Sequence, residues 1–298
     1  YNILLLGSDA RKDRIGIRPD SMTVASIDTN TGRTVLISLP RNLENVPFSA
    51  GSPMLKVYPY GYNCGSECLL NAVHTAAQNR HDLYPHSKDP GLDATIDAIQ
   101  GVTHLKINYY VMVNLNGFKG LVDAVGGVRV NVKTRIAMFG HEDAYKNIYI
   151  EPGKNKLLNG QQSLWFARSR VQSDDYVRMA RQKCLMAAMV SQLSPQKVLF
   201  NATKIAKSGR ELLSTNTPAK ELGQFADLAL KARHEKIATV SLVPPQVDTI
   251  HPNFPLIQQM IQKAIAKSEK LDSSPGTKKL DDPSDSSANT TDDLSAAC

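Results

Sequence analysis

Short apolar runs alternating with helix-period segments over the first 132 residues are what most constrain the fold of this chain. Residues 2–6 form a continuous apolar run closing at Gly7, the pattern of a buried strand whose C-terminal end opens onto a site. Residues 21–28 alternate as a second strand, Asp28-Thr-Asn-Thr-Gly32 supplies a hairpin turn, and residues 33–39 return as a third. Residues 67–79, 92–100 and 115–125 read as helices, the last stopped by Gly126-Gly127, and 104–113 and 128–132 read as strands. Residues 196–207, 217–234 and 255–269 carry further helical patterns around a late strand at 237–243, and 136–149 has little periodicity and reads as a flap. The expectation is an α/β fold: one layered α-β-α domain over 1–270, built on a central mixed β-sheet flanked by helices. Residues 271–298 are too rich in Ser, Asp, Thr and Pro to bury an apolar face and read as a disordered tail ending in Cys298.

Charge narrows the partners only a little. The chain carries +7, but its tail holds six Asp against Lys278 and Lys279, so the body stands at +11. Such a field favours polyanions. No zinc-ligand pairs and no aromatic-basic RNA motif accompany it, so nucleic acid is not an expected partner. No stretch approaches the roughly 18 to 20 apolar residues of a membrane span. Tyr1 is not an initiator Met, and the expectation is a fragment cut after an N-terminal anchor.

The four cysteines lack the C-x-x-C spacing of zinc ribbons or thioredoxins. Cys64 and Cys68 are awkward to join if they start a helix, Cys184 falls on an apolar helix stripe, and Cys298 ends a polar tail. The expectation is that Cys64 and Cys68 bridge away from one another, one to Cys184 and the other to Cys298, in an oxidising extracytoplasmic setting. Four reduced thiols are the alternative.

The stretch Trp165-Phe-Ala-Arg-Ser-Arg-Val-Gln-Ser-Asp-Asp-Tyr-Val-Arg-Met-Ala-Arg-Gln182 carries the chemistry. It reads as strand, loop and helix, and a period of two sends Arg168 and Arg170 to one face. In the helix Asp175, Arg178 and Gln182 share a side, with Val177, Ala180, Cys184 and Ala187 as a separate apolar stripe. Guanidinium forks match phosphate oxygens two at a time, so several converging arginines suit a pyrophosphate. The competing reading pairs Arg178 and Arg181 with Asp174 and Asp175 on a solvated helix. Asp9 and Asp20 fall at one end of adjacent strands, where two carboxylates beside arginines suit Mg²⁺, while from the residues alone a plain turn residue is the competing reading of Asp9. Pro40-Arg41 aims another guanidinium at the same rim, while Lys56 reads as a surface lysine and His74 as a helix-surface or core-edge residue.

The run R-x-R followed by D-x-x-R-x-x-R-Q resembles the signature of the LytR-CpsA-Psr family of cell-envelope phosphotransferases. Asn2-Ile-Leu-Leu-Leu-Gly-Ser-Asp-Ala-Arg11, Arg18-Pro-Asp-Ser-Met22, Ser38-Leu-Pro-Arg41 and Val122-Asp-Ala-Val-Gly-Gly-Val-Arg-Val-Asn-Val132 are similar to its other blocks, in its order. The family usually has Asp directly after the Pro-Arg pair, where this chain has Asn42, which keeps an acceptor but loses a charge. The resemblance implies a polyprenyl-pyrophosphate-linked glycan as donor and a phosphoglycan moved to a hydroxyl of peptidoglycan, another envelope glycan or a protein. It implies Mg²⁺ on Asp9 and Asp20, and pyrophosphate on Arg18, Arg41, Arg168, Arg170, Arg178 and Gln182. Asp9 or Asp175 is the candidate base. An apolar pocket for the lipid and a place at the extracytoplasmic face of the membrane, through an N-terminal anchor, also follow. Hydrolysis of the pyrophosphate, or binding of anionic glycan or headgroups without turnover, are the other two readings; a pure anion binder gains nothing from two carboxylates at the site.

Overall fold

The computed structural model describes residues 1–8, 19–139, 148–171, 175–192, 213–235, 237–270 and 290–291. In chain order the elements are β1 (Asn2–Ser8), β2 (Pro19–Ile27), β3 (Thr34–Leu39), α1 (Val73–Ala77), α2 (Pro90–Thr103), β4 (Tyr109–Asn114), α3 (Leu115–Ala124), β5 (Val128–Val132), β6 (Ile136–Ala137), β7 (Tyr149–Ile150) and β8 (Gly153–Leu158). There follow α4 (Gly160–Arg168), α5 (Asp175–Gln192), β9 (Leu213–Thr215), α6 (Leu222–His234), β10 (Ile237–Ser241), α7 (Phe254–Lys270) and β11 (Thr290–Thr291). The architecture is α/β with a mixed central sheet and flanking helices, as the alternation requires. The residues group into two compact units, the first built on Tyr1–Met112 and Ala238–Asp292, the second on Val113–Ser214 and Pro218–Ile237. Among the described residues no helix is long and apolar enough to cross a membrane.

The sheet runs β11-β10-β3-β2-β1-β4-β9. Its centre is antiparallel, with Leu4 opposite Val24 and Val24 opposite Ile37. Met22, Thr23, Val24 and Ala25 are consecutive and all buried, so both faces of β2 are covered. One core joins Leu4, Val24 and Ile37 to Ile99 and Val102 of α2 and Ile257 and Ile261 of α7. Each such side chain, once fully buried, contributes roughly 1.5–3 kcal/mol. Helix α2 starts where the Asp89 carboxylate accepts the Leu92 N–H at 3.0 Å with Pro90 behind it, and stops at His104, which turns left-handed at φ 58°.

The first unit corrects several expectations. The helix read over 67–79 shrinks to a 3-10 turn, Leu70–Ala72, and the short α1. The residues before it are a turn: Gly65 takes φ +79°, the Cys68 N–H returns to the Gly65 carbonyl, and the Cα atoms of Cys64 and Cys68 stand 5.2 Å apart, joined by a disulfide. The expected long-range pairing of these two cysteines is therefore wrong, because it assumed a helix where glycine allows a tight reversal. Cys184 is also disulfide-bonded, so no cysteine among the described residues is free; Cys298 lies outside them. Within the stretch read as a tail, Thr290 and Thr291 pair with Val240 and Thr239 as β11, and the rest of 271–298 lies outside the described residues. His74, expected at a helix surface or core edge, is buried, with Nε2 3.4 Å from Asp89.

In the second unit β5 and β8 form an antiparallel ribbon, with Val128, Val130 and Val132 inward and Arg129 and Asn131 outward. The inner face packs on Phe166 of α4 and on Cys184, Leu185 and Ala188 of α5. Part of the segment read as a flap is ordered: Ile136 and Ala137 pair with Ile150 and Tyr149, while 140–147 lie outside the described residues. The helix expected at 196–207 lies there too.

Two glycine substitutions test this packing in opposite directions. A Cβ on Gly101 in α2 would come 2.2 Å from the Pro47 carbonyl oxygen, whereas one on Gly120 in α3 meets nothing within 4 Å. Gly101→Ala is expected to cost about 3 kcal/mol and lower the thermal midpoint by roughly 5 °C or more. Gly120→Ala should stabilise by about 0.5–1 kcal/mol. Melting curves followed by circular dichroism check both, and an unchanged midpoint for Gly101→Ala would contradict the seat of α2 on the loop at residue 47.

Candidate functional site

In the first unit the hairpin register makes the local geometry. Met22 stands opposite Leu39, and continuing the antiparallel count brings Asp20 opposite Arg41, just past the end of β3. The Arg41 guanidinium donates from Nη1 to Asp20 Oδ1 at 2.7 Å, a charge-assisted bond with Asp20 35% and Arg41 25% exposed. The expectation that both reach one rim holds for this pair. Asn42 does not take the role of pinning the arginine; its amide donates to Thr249 Oγ1 at 3.4 Å. On the other side of β2, Gly7 stands opposite Ser21 and Ser8 opposite Pro19. Asp9 and Arg18 lie outside the described residues. Lys56 is exposed at the end of a 3-10 turn, Pro53–Lys56, as a surface lysine should be.

In the second unit the reading of Trp165 to Arg170 as a strand is wrong. Asn159 caps a helix by accepting the Gln162 N–H at 2.8 Å, and the Gln162 side chain accepts the Asn159 N–H in return at 3.1 Å. This capping box starts α4 at Gly160 and carries it to Arg168. The period-two argument for a shared face of Arg168 and Arg170 falls with the strand. Arg168 instead lies over the Trp165 ring, 5.1 Å from its centroid and one turn along the helix, and Arg170 follows in the extended chain after Ser169.

Helix α5 is fastened to the end of α4 by two side chains. Arg181 donates from Nη1 to the Phe166 carbonyl at 3.0 Å and from Nη2 to the Ser169 carbonyl, and Gln182 donates from Nε2 to the Ala167 carbonyl at 3.1 Å. The last carbonyls of a helix lack partners within it and carry partial negative charge, so a guanidinium and an amide there satisfy both needs. Arg181 therefore anchors α5 to the end of α4, a role that no spacing rule in the sequence announces. Gln182 spends a donor on the same anchorage, beside the phosphate role expected of it.

The expected apolar stripe of α5 holds at Cys184 and Ala187, which are buried, and fails at its other two positions. Val177 is 46% exposed and Ala180 is exposed, while Arg178 is 4% exposed, so the guanidinium faces inward where a valine and an alanine were expected to. The Asp175 side chain lies outside the described residues. Burial lowers the pKa of Arg181, and it pushes that of Lys183, one residue past Gln182, down to about 8. Desolvation disfavours the charged form of each. Lys183 was missed entirely in the sequence, since its neighbours in space come from the helix packing. The structure thus brings Arg168 and Arg170 to the end of α4, which Arg181 and Gln182 of α5 clasp, and separately brings Asp20 to Arg41. Among the described residues no group of three or more His, Cys, Asp or Glu is placed to hold a metal ion.

A sequence profile described as the LytR_cpsA_psr family matches residues 1–274. The polyisoprenyl-teichoic acid–peptidoglycan teichoic acid transferase TagV of Bacillus subtilis (strain 168) is 27% identical over 246 residues, 81% of this chain and 56% of that protein. The transferase of the same description named TagU, from Oceanobacillus iheyensis, is 28% identical over 207 residues, 68% of this chain and 55% of its own length. The chain thus spans about half the length of these curated relatives. The crystal structure of B. subtilis TagV superimposes with a TM-score of 0.61 at 24% identity, covering 92% of this chain and 98% of that one. TagT bound to LIIa-WTA gives 0.61 at 18% identity, covering 90% of this chain and 91% of that one. These likenesses show a shared fold.

Lys183 generates a test of the electrostatics. Its folded-state pKa of about 8 lies below the ordinary lysine value near 10.4, so between those pH values the unfolded chain binds more protons and stability rises with pH. Lys183→Met should therefore stabilise the protein at pH 7, by at most about 3 kcal/mol and by less once solvent screening of a part-exposed group is counted. The gain should shrink between pH 8 and about 10.4. Urea unfolding of both proteins across that range measures it; a gain that does not change with pH would trace to packing and not to charge.

Proposed function

The chain belongs to the LytR_cpsA_psr family, and from that premise we propose that it transfers a phosphoglycan from a polyprenyl-pyrophosphate-linked donor to a hydroxyl of a cell-envelope acceptor. The acceptor is peptidoglycan, another envelope glycan or a glycoprotein. The relatives named as polyisoprenyl-teichoic acid–peptidoglycan teichoic acid transferases support the substrate class, as does the capture of TagT with LIIa-WTA. The observation that carries the reading is the arginine-rich junction of α4 and α5. There a guanidinium only 4% exposed, that of Arg178, stands on a helix that Arg181 and Gln182 lock to the end bearing Arg168 and Arg170. Holding a guanidinium inside is costly for a fold and is warranted where a site must neutralise concentrated negative charge.

In this reading the acceptor hydroxyl gives its proton to a carboxylate, Asp9 or Asp175, as its oxygen bonds to the phosphorus next to the sugar, and the bond from that phosphorus to the bridging oxygen breaks. Polyprenyl phosphate leaves with the electron pair. Little covalent chemistry is asked of the protein, so its residues act by position and charge. The family resemblance assigns non-bridging oxygens to Arg168, Arg170 and Arg178, a hydrogen bond to Gln182, and the remaining charge to Arg18 and Arg41. Asp20 orients Arg41 through the 2.7 Å bond and, with Asp9, offers carboxylate oxygens. Hard oxygen donors of this kind fit Mg²⁺, which would offset the charge gathering on the leaving phosphate. The lipid requires an apolar pocket, and the reading places the chain at the extracytoplasmic face of the membrane.

The decisive assay follows transfer of glycan from a lipid-linked donor to an acceptor. Arg168→Ala is expected to lower the rate about a hundredfold, near 3 kcal/mol of transition-state stabilisation, with an unchanged circular dichroism spectrum. Arg178→Lys, which keeps the charge and loses the fork, should fall in the same direction. Near-wild-type rates in both would return the guanidinia to a structural role, and donor consumed equally with and without acceptor would identify a hydrolase. For the metal, calorimetric titration of pyrophosphate should show tighter binding with Mg²⁺ in the wild type and a much smaller Mg²⁺ effect in Asp20→Ala. Binding indifferent to Mg²⁺ in the wild type removes the metal assignment.

A further inference from the structure

The outer face of the β5–β8 ribbon carries a surface that phosphate transfer does not use. Strand alternation turns Arg129, Asn131 and Lys133 outward while the valines between them are buried, and Lys154, Asn155 and Leu157 are exposed across from them. None of Arg129, Lys133 and Lys154 has a carboxylate partner among the described residues. The nearby Glu151 is engaged by Arg135 at 2.9 Å, and that arginine also lies over the Tyr149 ring at 3.7 Å. Arg129 is held flat across the ribbon by its bond from Nη1 to the Asn155 carbonyl at 3.1 Å. Its backbone is fixed as well, since Gln192 of α5 accepts the Arg129 N–H at 2.8 Å and donates to its carbonyl at 2.7 Å. The face is therefore rigid, cationic and preformed.

In the middle of it stands an apolar side chain. Leu157 pairs in register with Arg129 and is 52% exposed. A soluble polyanion would satisfy the cations and leave Leu157 in water. A bilayer with anionic headgroups satisfies both, supplying negative charge to the three cations and an acyl boundary to the leucine. The geometry points to this face as a docking surface for an anionic phospholipid membrane, a contact separate from any anchor. It does not depend on the transferase reading.

Sedimentation with large unilamellar vesicles tests it, using the full 298-residue chain. At about 0.1 M salt, a concentration where charges within roughly 10 Å still attract, the wild type should partition onto vesicles containing phosphatidylglycerol, bind pure phosphatidylcholine poorly, and be released by high salt. Each cation near such a surface changes the partition coefficient about fivefold. Reversing two of them in Lys133→Glu/Lys154→Glu should therefore lower it at least about twentyfold, with an unchanged melting curve because both side chains are exposed. Leu157→Ser should lower lipid binding severalfold and leave binding to soluble inorganic polyphosphate as it was. The inference is overturned if the wild type does not prefer phosphatidylglycerol, or if the double reversal binds vesicles like the wild type. It is equally overturned if Leu157→Ser changes nothing while polyphosphate strips the protein from vesicles, which would make this a site for a soluble polyanion.

Discussion

The antiparallel register of β1, β2 and β3 is the constraint on which the first unit depends. Each strand places one residue of a buried set against the next, Leu4 to Val24 to Ile37, and none of the three is measurably exposed. A slip of a single residue would send each of these to the opposite face of the sheet. The same register brings Asp20 level with Arg41, so the core and the ion pair are two outcomes of one count of residues. The ion pair at the rim inherits its precision from the packing beneath it.

The second unit solves a different problem, the termination of a helix among other elements. The last carbonyls of α4 find donors in Arg181 and Gln182, which belong to a helix separated from α4 by the loop after Arg168. Satisfying these acceptors with side chains of α5 couples the two helices, and it leaves positively charged groups in places where burial opposes charge. The lowered pKa values of Arg181 and Lys183 are the signature of that opposition. A fold selected for stability alone would place apolar side chains there, so local instability tolerated at this junction is consistent with use of its charge.

How much of this was legible in the sequence depends on which signal each segment carried. The hairpin from Ser21 to Leu39 was plain because strand alternation and a Gly-containing turn agreed, and α2, α3 and β5 were plain because their caps and periods agreed. Trp165 to Arg170 was misread because R-x-R imitates strand alternation, although the Asn159 and Gln162 capping box six residues earlier already called for a helix. Cys64 and Cys68 were misread because their pairing was judged on the premise that they start a helix, whereas Gly65 between them turns left-handed. The family signature gave the candidate residues together with their grouping. It could not reveal that Arg178 is buried or that Arg181 serves carbonyl groups, because both depend on how α5 lies against α4 in space.

The two-residue strand β11 has a meaning beyond its size. Without it β10 would be the outermost strand of the sheet, with the backbone amides and carbonyls near Thr239 and Val240 turned to solvent and able to recruit a strand from another molecule. Thr290 and Thr291 fill that position from within the same chain. Their contribution to the energy of the fold is small, but they replace an open template for self-association with a closed one. A chain lacking Thr290 and Thr291 would keep its core and its arginines and lose this cover, so these two residues act against edge-to-edge pairing of one molecule with another.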